Sequence, residues 1–222
     1  MSFPPGHAIR QLARHRRLEA LGSLGAAVLL LALPWGLAYL FDRVWQNSAT
    51  TFALPPLVYG VVGLSALLLV LNGLHLWQRA NHADQGAKGE EDVAQTLQVL
   101  IPSGWQFEYG MRLGNRLGDA DIIAVSPHHK TYVIDVKSHR GTVTCTGQRL
   151  GRRFGNQIKL FEKDFVAQAV KQARQVKQQL RVDFVTPIVA FSAAQVTVPQ
   201  QRCGSIYVVA REQLPGLLQS LG

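Results

Sequence analysis

The chain has 222 residues, 47% hydrophobic and 17% charged, with a formal net charge of +9; soluble proteins usually carry roughly 25% charged residues. That length leaves room for one domain of about 100–150 residues plus appendages. Cys145 and Cys203 are the only cysteines, which excludes a secreted-type disulfide framework, makes a reducing compartment the default and requires no catalytic thiol.

The charge deficit is local. Residues 1–20 form a basic N-terminus with Arg10, Arg14, Arg16 and Arg17, and no Asp, Glu, Lys or Arg then occurs from Ala20 to Phe41 or from Val44 to Gln78. Leu21–Phe41 and Leu57–Trp77 are each long enough to cross a hydrocarbon core of ~30 Å as a helix. Trp35, Tyr39, Trp45, Tyr59 and Trp77 stand mostly near their ends, where aromatic rings prefer the interface. Pro34 is expected to kink the first span, and Gly22, Gly25, Gly60 and Gly63 offer small-residue contact points. Residues 21–78 are therefore expected to form a transmembrane hairpin. The first run can also be read as a signal peptide, although its apolar core exceeds the usual length and lacks a small-x-small cleavage site. The arginines before the first span, with Arg79 and Lys88 after the second, place both ends in the cytoplasm by the positive-inside rule.

Residues 79–88 read as a polar linker, and 89–222 as the domain it carries. From Arg79 onward, 18 Lys and Arg face 12 Asp and Glu, a surplus of six. Such a balance suits nucleic acid or an anionic bilayer surface as partner. An acidic start at Glu90, Glu91 and Asp92 and a stripe through Val93, Leu97 and Leu100 predict a helix. Strands follow at 105–112, 121–125, 131–137 and 141–146, with Gly114–Gly118 as a loop. A long helix spans 161–180, strands occupy 186–191 and 205–209, and a last helix at 212–218 is interrupted by Pro215. The order predicts an α/β domain, a mixed central sheet flanked by helices and preceded by two transmembrane helices.

The strand 131–137 carries the chemistry. Alternation puts Val133, Asp135 and Lys137 on one face and Tyr132, Ile134 and Val136 on the other. An acid and an ammonium two residues apart are unusual in a buried strand, which is normally a continuous Val, Ile and Leu run. With Asp121 on the preceding strand, they provide what a metal-dependent phosphodiesterase needs. Mg²⁺, for which Mn²⁺ can substitute, takes hard oxygen ligands and usually keeps several waters. Asp121, Asp135 and the Val136 carbonyl are its candidate ligands, with Glu90 on a second ion or on the water. Lys137 would stabilise charge developing on phosphate, and Gln168 would hydrogen-bond the phosphate or the water. Arg149, Arg152, Arg153 and Lys159, interleaved with Phe154, are candidates to grip nucleic-acid phosphates.

Blander readings accompany each residue. Asp135 and Lys137 can form a solvent-facing pair of slight energetic value. Asp121 can be a strand-start residue and Glu90 a first-turn acid. Gln168 can be a surface glutamine and the arginines a solvated hairpin. His128 and His129 have no acid or Cys at ligand spacing and read as a solvated turn.

Four motifs in order carry a resemblance. Gly86-Ala87-Lys88-Gly89-Glu90, Asp119-Ala120-Asp121, Asp135-Val136-Lys137 with Gly141, and Gln168 with Leu180 resemble the signatures of the nuclease-related domain family (NERD), over about Gly86–Phe191. Asp135 and Asp119 stand where that family more often has Glu. The resemblance implies membership of the PD-(D/E)xK nuclease superfamily, a restriction-endonuclease-like core and Mg²⁺-dependent hydrolysis of phosphodiester bonds, with DNA favoured over RNA. The expected protein is a nuclease anchored in the inner membrane. Its alternatives are a non-catalytic nucleic-acid-binding or scaffold module, and a partner-binding appendage of a membrane complex.

Overall fold

A computed structural model describes residues 7–44, 55–114 and 118–222. Trp45, the connection between the apolar runs and positions 115–117 of the expected Gly114–Gly118 loop lie outside the described residues. The chain divides into two compact units, Ala8–Asp84 and, at its C-terminal end, Gln85–Gly222.

The first unit is built from α1 (His7–Val44) and the larger part of α2 (Pro56–Leu97). Both helices are long and apolar enough to cross a membrane. Large apolar side chains such as Leu29, Trp35, Leu57 and Leu64 stand exposed along them, as lipid-facing residues would. α1 runs helical through Pro34. The two helices meet along small residues seven apart, Ala13, Ala20 and Ala27 facing Ala66, Gly73 and Ala80, a heptad spacing that keeps one seam facing the partner. At Gly73 an added Cβ would lie 2.9 Å from a Leu24 carbon and 3.2 Å from the Ala20 carbonyl oxygen. At the expected contact points Gly22, Gly25, Gly60 and Gly63 an added Cβ would meet no atom of another element within 4 Å among the described residues. Alanines do this work instead, because an apolar seam needs small side chains and not backbone freedom. Asn72 Nδ2 donates to Ser23 Oγ at 3.1 Å. Arg17 pairs with Asp84 and lies over the Trp77 ring.

The second unit is the expected α/β domain. Its eight-stranded mixed sheet has the order β1 (Gln106–Arg112), β2 (Asp119–Val125), β3 (Thr131–Thr146), β6 (Val185–Val196), β8 (Ile206–Ala210), β7 (Arg202–Cys203). β4 (Arg149–Phe154) and β5 (Gln157–Leu160) form a hairpin extending from β3. β3–β6 and β6–β8 are parallel and the remaining pairs antiparallel. Both faces of the central strands are buried, so they read as near-continuous apolar runs. Tyr132, Ile134 and Val136 pack under the end of α2 and α4 (Leu214–Leu221). On the opposite face, Val133 and Val189 pack under α3 (Phe165–Leu180).

Several boundaries differ from the sequence reading. Residues 79–88, expected as a linker, are helical within α2. β3 continues through the two strands expected at 131–137 and 141–146, with a register irregularity between Lys137 and Arg140 and a positive φ of 93° at Gly141. α3 starts at Phe165, four residues later than expected, because Asp164 caps it by accepting from Ala167 N at 3.0 Å. Pro215 stands in the first turn of α4, where its missing N–H costs nothing, so it opens that helix. Cys145 and Cys203, 58 residues apart, form a disulfide that ties β3 to β7, a pairing their spacing did not announce.

Candidate active site

The site forms where β2 and β3 part. Their pairing ends at Ile122↔Ile134, which leaves the next inward-facing N–H of β3, that of Val136, without a strand partner on the β2 side. Asp121 supplies one: its Oδ2 accepts from Val136 N at 2.7 Å. Asp121 is thereby fixed beside the strand that carries Asp135 and Lys137.

Asp135 is 2% exposed. Lys137 Nζ donates to its Oδ1 at 2.8 Å and lies 2.7 Å from its Oδ2. From α3, Gln168 Nε2 donates to the same Oδ1 at 3.3 Å. Asp135 Oδ2 itself is buried without a hydrogen-bond donor, although the ammonium charge is near. Lys137 also lies 5.0 Å from the Phe165 ring centre.

Glu90 comes from the end of α2, and Gly89 sets that approach. A Cβ at Gly89 would stand 2.7 Å from Ser192 Oγ and 3.2 Å from Ser138 Cβ, so glycine lets the helix lie this close to β3 and β6 without displacing either serine. Gln85 Nε2 adds a hydrogen bond to the Ser138 carbonyl at 3.0 Å.

Electrostatics ties the three acids together. The Asp121 carboxyl is pushed well above the usual range, first by burial and then by the negative charges of Asp135 and Glu90; Lys137 and the Val136 N–H pull it back in part. Asp135 is raised by burial, against the lowering effects of Lys137 and of a hydrogen bond from Gln172. The acids sense one another without closing into a tight ligand triad: among the described residues no three His, Cys, Asp or Glu side chains form a group that could hold a metal. Two carboxylates that sense each other's charge, with a lysine ammonium beside them, fit an ion such as Mg²⁺, which binds through one or two carboxylates and keeps water for the rest.

Two residues escaped the sequence reading. Gln172, 2% exposed, lies one turn beyond Gln168 on α3, and that i, i+4 spacing was the available signal. His139 lies 4.9 Å from Phe161 and 5.5 Å from Phe165, centre to centre. Its pKa is lowered by burial first, then by Arg152 and Lys137.

The four basic candidates separate. Arg152 and Lys159 face each other in the β4–β5 register and line the same cavity. Arg153 pairs with Ile158 instead, and adjacent strand residues point to opposite faces. Arg149 donates to the Phe161 carbonyl at 3.3 Å and lies 4.0 Å from Asp164 Oδ2, a role in holding the start of α3.

Residues 85–192, just under half of the chain, match the family model of the nuclease-related domain, NERD. The matched segment runs from the helical turn before Glu90 to the strand beside Asp135, and so contains every acid, amide and cation of the site. No curated protein and no solved structure matches the chain.

Proposed function

We propose, from a nuclease-related domain over residues 85–192, a divalent-metal-dependent phosphodiesterase that hydrolyses nucleic acid, DNA in preference to RNA, at Asp121, Asp135 and Lys137. The observation that carries this reading is the buried Asp135–Lys137 pair with Asp121 beside it. A solvated surface pair would not be 2% and 16% exposed, nor would it sit against two glutamine side chains. A binding module has no use for buried carboxylates that repel phosphate.

Asp121 and Asp135 are the residues that would hold Mg²⁺, joined by the carbonyl of Val136, which leaves the strand on the same edge as its N–H. When bound, the ion supplies a water acidified towards neutral pH and charge neutralisation on the phosphate. Lys137 hydrogen-bonds the attacked phosphate and stabilises the charge that develops there. Gln168 and Gln172 keep the Asp135 carboxylate in one orientation. Glu90, which acts on Asp121 through its charge, is the residue that would orient the water.

The two apolar helices are read as a membrane anchor. Arg10, Arg14, Arg16 and Arg17 in the N-terminal turns of α1, ahead of its apolar run, with Arg79 and Lys88 on α2, favour a cytoplasmic domain. The Cys145–Cys203 pair would then be held as a dithiol until oxidised. A green fluorescent protein fused to the C-terminus fluoresces in intact cells if the orientation is right. A dark fusion at equal abundance places the domain outside.

The direct test of catalysis uses the full chain in detergent micelles on linear, branched and single-stranded DNA and on RNA. We expect cleavage with Mg²⁺ or Mn²⁺, its loss in EDTA, and a fall of about 10²–10³-fold in Asp135→Ala and Lys137→Ala. Equal cleavage by wild type and both variants removes the catalytic assignment. If the wild type cuts nothing, the binding-module reading replaces it.

A further inference from the structure

A cavity of about 520 Å³ opens beside Lys137 and Gln168, between the β4–β5 hairpin and the start of α3. That volume suits one small ligand. Because Lys137 and Gln168 belong to its wall, whatever enters it lies next to the phosphate that those residues would serve.

The other walls combine two chemistries. Phe161 and Phe165 stand 5.0 Å apart and form an aromatic floor with His139. Phe154 rises from the hairpin 55% exposed, and the Arg152 guanidinium lies 5.8 Å from both the Phe154 and Phe161 ring centres. A ring that merely filled the core would be covered, and Phe154 is not. Arg152 and Lys159 also face each other directly across β4 and β5. Like charges in that position destabilise a hairpin unless an anion lies between them. Arg152 Nε is buried without a hydrogen-bond partner among the described residues, while its Nη2 lies 3.3 Å from His139 Nδ1.

Aromatic faces for stacking beside cations for the backbone are the combination by which proteins hold unpaired nucleotides. A base inside a duplex offers neither face, since both are hidden in the stack. We propose that this cavity is a base subsite. One unpaired nucleobase next to the attacked phosphate stacks on Phe154 and Phe161, and Arg152 and Lys159 hold the adjoining phosphate. The substrate class is then single-stranded nucleic acid, or a flap or frayed end. The identity of the occupant rests on the nuclease reading of the neighbouring carboxylates.

The test uses the full chain in detergent micelles with EDTA present, so that nothing is cut. The probes are single-stranded DNA and RNA oligonucleotides containing 2-aminopurine, whose fluorescence is quenched by stacking, and a blunt DNA duplex of the same length. Single strands should bind with quenching and more tightly than the duplex. Phe154→Ala should weaken single-strand binding about tenfold and abolish the quenching, Phe154→Trp should preserve both, and duplex binding should move little in either. Equal affinity for single strands and duplex, or a Phe154→Ala protein that still quenches with wild-type affinity, overturns the inference. If that happens while duplex DNA is cleaved in an Asp135-dependent way, the subsite falls and the nuclease stands. If the quenching behaves as expected but no substrate is ever cleaved, the nuclease reading falls and a nucleotide-binding site remains.

Discussion

The two halves of β3 face the same problem, charge on a central strand, and solve it differently. From Thr131 to Val136 every residue is buried, with β6 along one side and β2 along the other as far as Ile134. Beyond the irregularity at Lys137–Arg140 the strand is more open, and β4 replaces β2 as its neighbour. The first half carries Asp135, with Asp121 of β2 beside it, and low-dielectric surroundings make such acids costly. The second half supports a hairpin of cations and aromatics at the edge, where solvent screens the charges. Placed end to end, they form a cleft that is acidic and dry at one side and basic and apolar at the other. A substrate whose phosphate must be attacked and whose base must be gripped needs both.

The largest effect should come from the acidic half, and it should divide into two opposite signs. Asp121→Asn keeps an oxygen to accept from Val136 N and removes the charge. Cleavage should fall about 10²–10³-fold, while the protein becomes more stable by about 1 kcal/mol, or roughly 2–4 °C in Tm. The direction follows from linkage. A carboxyl raised above its unfolded value binds more protons in the folded state, so stability falls as pH rises from the ordinary carboxylate range near ~4 up to the raised value. The same sign holds for both Asp121 and Asp135, and the cost of each is present in full once the pH exceeds its raised value. Melting curves of wild type and Asp121→Asn from pH 4 to 8 should therefore diverge upward in pH. Parallel curves would mean that Asp121 is not under strain, and the contrast between the two halves would lose its acidic side.

A smaller effect should separate the faces of the basic half. Arg152→Ala should weaken nucleic-acid binding about fivefold to tenfold and reduce the salt slope by about one. Arg153→Ala, one residue along and on the other face of β4, should change neither. Titrations at several salt concentrations decide it; equal losses in the two variants would mean a diffuse positive surface and no oriented groove.

How far the sequence reached depends on which interactions are local. Asp135 and Lys137 were legible because a period of two is a property of the strand alone. Asp121 and Gln168 were legible through motif order, although only the structure explains Asp121, as the acceptor for an N–H left free where two strands part. Gln172 was hidden because a glutamine one turn from another usually faces water. Residues 79–88 connect the two units as continuous helix, with the boundary after Asp84, because polar composition describes an exposed helix as well as an extended linker. β5 was missed because all four of its residues are exposed, and with it went the Arg152–Lys159 pairing, which depends on a hairpin register turned at Gly155, φ 56°. The helical seam went to Ala13, Ala20 and Ala27 because in an apolar run an alanine looks like any other apolar residue.

The smallest effect tests how the acidic half is assembled, and it acts without touching a charge. Gly89 lets α2 approach β3 and β6 closely enough for Glu90 to act on Asp121. In Gly89→Ala the new methyl must displace the Ser192 hydroxyl, 2.7 Å from its ideal position, and press on Ser138 Cβ at 3.2 Å. The hydroxyl can rotate away and Ala favours helix over Gly, so the loss of stability should be modest, about 1 kcal/mol or less. Activity is the sharper readout, because even a small displacement of the helix moves Glu90 relative to Asp121. We expect kcat to fall several-fold with single-strand affinity unchanged, since the cavity walls come from β3, β4, β5 and α3. In Gly89→Ala/Ser192→Ala the hydroxyl is gone, and most of the lost activity should return. No recovery would mean that the glycine serves the helix itself rather than the distance between helix and sheet.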